Sequence, residues 1–205
     1  NTVTGWPGGK PGADDSTRPE RKSPNSKRVI IFSPHPDDDV VSMGGTFDRL
    51  VSQGHKVHIA YQVKGNIAVS DHDALKFIEV SKDMFKNDSK VLVSELIKEL
   101  KNNKPDKIDS QAVRDLKGFI RKREAIAATR YFGIPDSNTH FMNLPFYNTG
   151  RIKKNPPTKK DVLITASLIK KIKPHQIFAA GDLEDPHGTH KVCLDVILEA
   201  LDTLK

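Results

Sequence analysis

Cysteine and tryptophan each occur once, and tyrosine three times, in this chain of 205 residues. A lone Cys193 excludes a disulfide framework and a thiolate metal cage, and it makes a reducing compartment, the cytoplasm, the expected location. No run of about 18 apolar residues is present, which excludes a transmembrane helix. The chain opens at Asn1 with neither methionine nor a charged-then-apolar leader, so no signal peptide is visible. Internal repeats are lacking too. Charge is plentiful, with 33 Lys and Arg against 26 Asp and Glu, a net +7. The excess lies in lysine-rich segments around 84–123 and 153–173, spread along amphipathic stretches with little aromatic interleaving. That pattern reads as a solvated exterior and not as a nucleic-acid face.

What is present is an alternation of short apolar runs and longer amphipathic ones. Val29-Ile30-Ile31-Phe32 reads as a buried strand, His55 to Val63 as a second, and Phe141 to Leu144 and His175 to Ala180 as two more. The periodicity predicts helices over 73–84, 90–103, 110–132, 159–172 and 188–203, besides an apolar-periodic segment through Leu50 and Val51. Such alternation marks an α/β domain. His55 and His58 fall on opposite faces of the second strand and read as surface and packing histidines. Residues 64–115 read as an insertion, either a lid or a dimer surface. Residues 1–27, with Gly5, Gly8, Gly9, Gly12 and several prolines, read as a linker or tail. Residues 28–205 are long enough for one domain with its own core.

Polar residues gather past the carboxyl ends of two of these strands, where open α/β sheets collect ligands. The first strand runs into Ser33-Pro34-His35-Pro36-Asp37-Asp38-Asp39 and then Met43-Gly44-Gly45-Thr46. Imidazole with carboxylate is a donor set suited to Zn²⁺ or a similar divalent ion. The last strand runs into Gly181-Asp182-Leu183-Glu184-Asp185-Pro186-His187-Gly188-Thr189-His190. His187 and His190 share a face if the helix has begun by then. Taken singly, His-Pro-Asp-Asp is also what a capped loop looks like, with Asp38 or Asp39 capping the next helix. A His-x-x-His pair is often merely solvated. Two such loops in one α/β pattern favour a single mixed metal site. Lys64-Gly65-Asn66 ends the second strand on the same rim, which makes Asn66 a substrate contact or a turn residue.

Together these residues resemble the LmbE-like, or PIG-L, family of zinc-dependent N-deacetylases, which act largely on N-acetylglucosamine-containing compounds. His35-Pro36-Asp37-Asp38 with Gly44-Gly45-Thr46 is similar to the family's first motif, and His187-x-x-His190 to its second. Arg121-x-x-Glu124 with Ala127-Ala128, Arg130 and Gly133-Ile134 resembles the helix between them, and His140 to Leu144 the strand after it. The likeness runs from about Lys27 to the end. It implies a Rossmann-like open sheet, mostly parallel, with helices on both faces. It also implies His35, Asp38 and His190 as ligands of Zn²⁺ or another divalent metal. Asp37 is then the general base, His187 the general acid or oxyanion partner, and Arg121 a substrate contact.

Two departures from the family pattern matter. Gly188-Thr189 stand where the family reads Pro-Asp, so the carboxylate that would orient His187 is expected from Asp185, Glu184 or Asp182. Asp39 stands where members mostly carry glutamate, a shorter arm behind the ligands. Related modules fused behind a glucosamine-6-phosphate deaminase-like domain carry a similar connector, which implies a covalently attached upstream domain and a place in amino-sugar metabolism. Family members commonly continue into a further strand where this chain stops, so part of the pocket wall is expected to be missing or supplied by a neighbour, such as a second copy.

The leading expectation is a hydrolase that removes an N-acetyl group from a small amino sugar through zinc-activated water. Local positive potential favours a phosphorylated sugar. The rival is a zinc-binding, non-catalytic module that senses a sugar or supports an attached domain. Gly188-Thr189 and the end of the chain favour the rival. The presence of Asp37 and His187 beside three ligands favours the enzyme. Nucleic acid and membrane are not expected partners.

Overall fold

Uninterrupted β-branched and aromatic residues make β1 (Arg28–Ser33) the central strand, buried at every position after Arg28. The computed structural model describes residues 25–84, 90–103, 107–151, 153–181, 184 and 187–205, so most of the Gly/Pro-rich stretch lies outside the described residues. β2 (Lys56–Tyr61) and β4 (Gln176–Ala179) flank β1, with Ile31 opposite both Ile59 and Phe178. A short β3 (Thr139–Phe141) extends the sheet beyond β2. The order is β3-β2-β1-β4, and every pairing is parallel.

Side chains alternate across β1, and both faces are covered. Val29 and Ile31 join Phe47 and Leu50 of α1 (Asp38–Ser52) and Ala125 of α4 (Gln111–Tyr131). Ile30 and Phe32 point the other way, onto Val162, Ala166 and Ile169 of α5 (Lys159–Ile172) and Ile197 and Ala200 of α6 (Thr189–Asp202). A parallel strand buried on both sides needs apolar residues at odd and even positions alike, which is why β1 reads as a continuous run. Phe47 and Leu50 are wholly buried, and such burial contributes about 1.5–3 kcal/mol per side chain.

The stretch read as an insertion holds α2 (Asp71–Met84) and α3 (Lys90–Lys101), which pack on α4 through Ala74, Ile78, Leu96, Leu100, Val113 and Ile120. Here the lysine-rich exterior has an exception. Lys117 is buried, its ammonium 2.6 Å from Asp71 and 2.8 Å from Asp109. Burial alone would lower its pKa, but the two carboxylates outweigh that and raise it.

Three strand-level expectations shift. The third strand lies at Thr139–Phe141, earlier than the apolar run through Leu144. Beyond it Asn143 turns into the left-handed region at φ 50°, although the amides of Met142 and Leu144 still donate to Tyr61 and Gln62. β4 is only half-buried, because it is an edge strand. His55 precedes β2, and both His55 and His58 are buried, neither at the surface.

His58 pairs with His140 of β3, their nitrogens 3.1 Å apart and their rings stacked. Burial, then the neighbouring His140, Lys56, Lys171 and Arg28, push His58 down to about 4. His140 is lowered by burial and Lys171. In the unfolded chain a histidine takes up its proton near pH 6.5, whereas native His58 stays neutral until about pH 4. The unfolded state therefore binds more protons between those values, and stability falls as pH drops from about 6.5 to about 4, by up to about 3 kcal/mol. Urea unfolding of His58→Phe is expected to show a flatter loss over that window. An unchanged pH slope would contradict the assignment.

From β1 the chain moves outward through β2 to β3, then returns to the far side of β1 for β4. The carboxyl ends of β1 and β4 thus form the switch point of the sheet, the crevice in which such folds hold ligands. Both histidine-bearing loops leave from there.

Candidate active site

The loop leaving β1 is fixed from beneath. Ser33 Oγ donates to the His35 carbonyl at 2.5 Å and accepts from the Asp39 amide at 3.0 Å. The buried Asp39 carboxylate accepts from the Tyr61 hydroxyl at 2.9 Å. Burial raises the pKa of Asp39, and burial together with the Asp39 charge raises that of Tyr61. Asp39 therefore supports the loop through Ser33 and Tyr61.

Asp38 opens α1 but does not cap it. Its Oδ2 turns back to accept the His35 amide at 2.7 Å, while Asp37 occupies the cap position and makes no side-chain capping bond. The reading of Asp38 as the cap fails for that reason. α1 then kinks at Met43, ahead of the Gly44-Gly45 pair, as helices do at glycine pairs.

His190 lies in the first turn of α6 and reaches across the switch point. His35 Nδ1, Asp38 Oδ2 and His190 Nε2 form a triangle with sides of 3.2, 3.3 and 3.2 Å. A tetrahedral ion with bonds of about 2.0–2.1 Å sets neighbouring ligand atoms about 3.3–3.4 Å apart, so this triangle is one face of such a site. Among the described residues these three are the group able to hold a metal ion. Burial would raise the Asp38 carboxyl, but the hydrogen bonds from the His35 ring and amide and the charges of His35 and His190 hold it below its ordinary value. The oxygen is thus anionic at neutral pH, as a ligand must be.

Asp37 stands beside the triangle. Its Oδ2 lies 2.8 Å from Arg121 Nη2, and Arg121 Nη1 is 2.7 Å from Glu124. Arg121 is largely buried, whereas Asp37 is half-exposed. Gly65, at φ 63°, lets the strand end press against this group, since a Cβ there would fall 2.7 Å from Pro36 Cδ. Lys64-Gly65-Asn66 thus shares the rim with His35, and Asn66 itself is buried in a single 3₁₀ turn, Asn66–Ala68.

The second loop is less regular than its spacing implies. α6 begins at Thr189 with Gly188 in the left-handed region at its cap, so His187 precedes the helix and is exposed. Asp185 and Asp182, expected to orient it, lie outside the described residues, and Glu184 is exposed.

Sequence reading missed Tyr147 and Lys154. Buried Tyr147 meets the His35 ring edge-on at 6.0 Å, and the Lys154 ammonium lies 3.8 Å from the centre of the tyrosine ring. Burial pushes Tyr147 up to about 12 and Lys154 down to about 8. Their one available signal was position, since both follow β3 on the carboxyl side of the sheet.

No helix among the described residues is long and apolar enough to cross a membrane. A curated relative from Bacteroides thetaiotaomicron, named as a glucosamine-6-phosphate deaminase-like protein, is 52% identical over 212 residues. The match takes in the whole chain but 32% of that relative, so the chain spans about a third of its length. The family model described as GlcNAc-PI de-N-acetylase matches residues 30–201. That span holds both loops of the switch point, the sheet from Ile30 of β1 through β4 and the His35, Asp38, His190 triangle, and the chain belongs to the PIG-L family of de-N-acetylases.

Proposed function

We propose that this chain removes the N-acetyl group from an amino sugar of the N-acetylglucosamine type, with Zn²⁺ held by His35, Asp38 and His190. The observation that carries the reading is the triangle of ligand atoms with a carboxylate, Asp37, beside it and outside it. Three protein ligands leave a fourth position open, as catalytic zinc sites do. When bound there, the ion supplies a Lewis acid that polarises the amide carbonyl and makes water nucleophilic near neutral pH.

Asp37 takes the proton of the attacking water and passes it to the leaving nitrogen. Arg121 fixes one oxygen of Asp37 and leaves the other for that proton. His187, on the loop ahead of α6, offsets the charge that develops on the carbonyl oxygen. Arg121 and Asn66 are assigned to the sugar, Asp39 supports the ligand-bearing loop through Ser33 and Tyr61, and Asp185 is assigned as the carboxylate that orients His187. Water and the amide leave as acetate and a primary amine. The chain works in the cytoplasm as one module of a longer amino-sugar enzyme, joined through residues 1–27 to a deaminase-like domain such as its relative's name implies. A module of this kind can also assemble with a second copy.

The second reading, a zinc-binding module without turnover, is favoured by one observation, Gly188-Thr189 in place of the family's Pro-Asp. Acetate release from N-acetylglucosamine and its 6-phosphate separates the two. Release by the zinc-loaded chain is expected, and zinc bound at one per chain with no release establishes the rival.

A further inference from the structure

Beside the metal group lies a cavity of about 230 Å³ whose wall includes Pro36, the residue between His35 and Asp37. Its remaining lining combines cations and aromatic rings. Lys64 follows β2 and Lys122 follows Arg121 on α4, so both rise at the carboxyl rim of the sheet. The Lys64 ammonium lies 2.9 Å from Asp115. That of Lys122 sits 5.0 Å from the centre of the Phe141 ring, with no carboxylate in ion-pair range among the described residues. Two ammonium groups against one carboxylate leave the cavity positive. Phe119 lines it as well, with 64% of its surface exposed, an apolar face on a charged rim. Asn143 brings an amide to the mouth from a left-handed backbone at φ 50°. Gly118 keeps the path of Lys64 clear, since a Cβ there would fall 3.3 Å from Lys64 Cδ.

We infer that this cavity holds a phosphate-ester substituent of the substrate amino sugar, with Lys64 and Lys122 on the phosphate and Phe119 and Phe141 against the sugar. The inference rests on the deacetylase reading and names the substrate class of that same site. Lysine binds phosphate as a flexible point charge. Asp115 holds Lys64 in place, and the ring of Phe141 holds Lys122 without neutralising it. A concave site with aromatic walls and a few convergent polar groups is the usual form of a small-molecule pocket. Pro36 forms a shared wall, so a sugar whose acetamido group reaches the metal group can place its phosphate here.

Calorimetric binding to the zinc-loaded full chain tests this with N-acetylglucosamine, its 6-phosphate and its 1-phosphate. One of the phosphates is expected to bind at least about tenfold more tightly than the parent sugar, the worth of a charge-assisted contact. Lys122→Ala is expected to close that gap, Lys122→Arg to keep most of it, and added salt to shrink it in the unaltered chain. Lys122 is exposed, so its replacement leaves the core intact. Equal affinity for all three sugars would overturn the inference, and so would a gap that survives Lys122→Ala. A phosphate preference without acetate release would overturn the deacetylase reading and leave the cavity assigned. Acetate release with no phosphate preference would do the reverse.

Discussion

Replacing Asp37 with asparagine is expected to lower acetate release by about 10²–10⁴-fold, the usual worth of a positioned general base, while zinc stays bound near one per chain. The two halves of that result come from different atoms. The triangle of ligand atoms is drawn from His35, Asp38 and His190 alone. Asp37 instead meets Arg121 at 2.8 Å and is half-exposed toward the rim. Asparagine keeps the shape and a hydrogen bond but removes the proton acceptor. Arg121 retains Glu124 at 2.7 Å, so it is not left as a buried unpaired cation. Steady-state rates with elemental analysis on the same sample give both halves, and an unchanged rate would take Asp37 out of the mechanism.

His190→Ala is expected to do the opposite, lowering zinc affinity by more than about 100-fold and carrying activity down with it. Loss of a group that merely orients a ligand costs about 10–100-fold, and His190 offers a ligand nitrogen itself. It is also the one corner of the triangle supplied from α6, with His35 on the loop after β1 and Asp38 at the start of α1. Its loss therefore unlinks the two sides of the switch point. A readout independent of turnover follows from mass action, since zinc at 100 times its dissociation constant stabilises the folded chain by about 2.7 kcal/mol. The zinc-dependent rise in melting temperature should be present in the unaltered chain and absent in His190→Ala. Zinc retained at the same stoichiometry would refute His190 as a ligand.

What the sequence made legible was local or periodic. The unbroken run Val29 to Phe32 and the repeats along α4, α5 and α6 show the core faces directly, because each buried face recurs at the period of its element. The site was legible because both loops follow strands and carry residue types with one common chemistry. Long-range pairing was not. His58 and His140 are 82 residues apart, and nothing local marks either as buried beside the other. Lys117 looked like one more solvated lysine until Asp71 and Asp109 closed on it. The third strand was placed late because Met142 and Leu144 continue the apolar pattern, whereas Asn143 between them leaves the extended conformation. The last helix, expected from residue 188, starts at Thr189 after a left-handed Gly188, so His187 stands ahead of it and the condition for sharing a helical face with His190 is not met.

The central claim is that the ion held by His35, Asp38 and His190 is what makes this chain a deacetylase. Acetate release from N-acetylglucosamine and its 6-phosphate, measured on one preparation before chelation, after chelation and after zinc is added back, tests it most directly. Release that vanishes on stripping and returns in proportion to zinc, up to one ion per chain, is the predicted result. Release that survives complete removal of metal, or no release with one zinc bound, would contradict it.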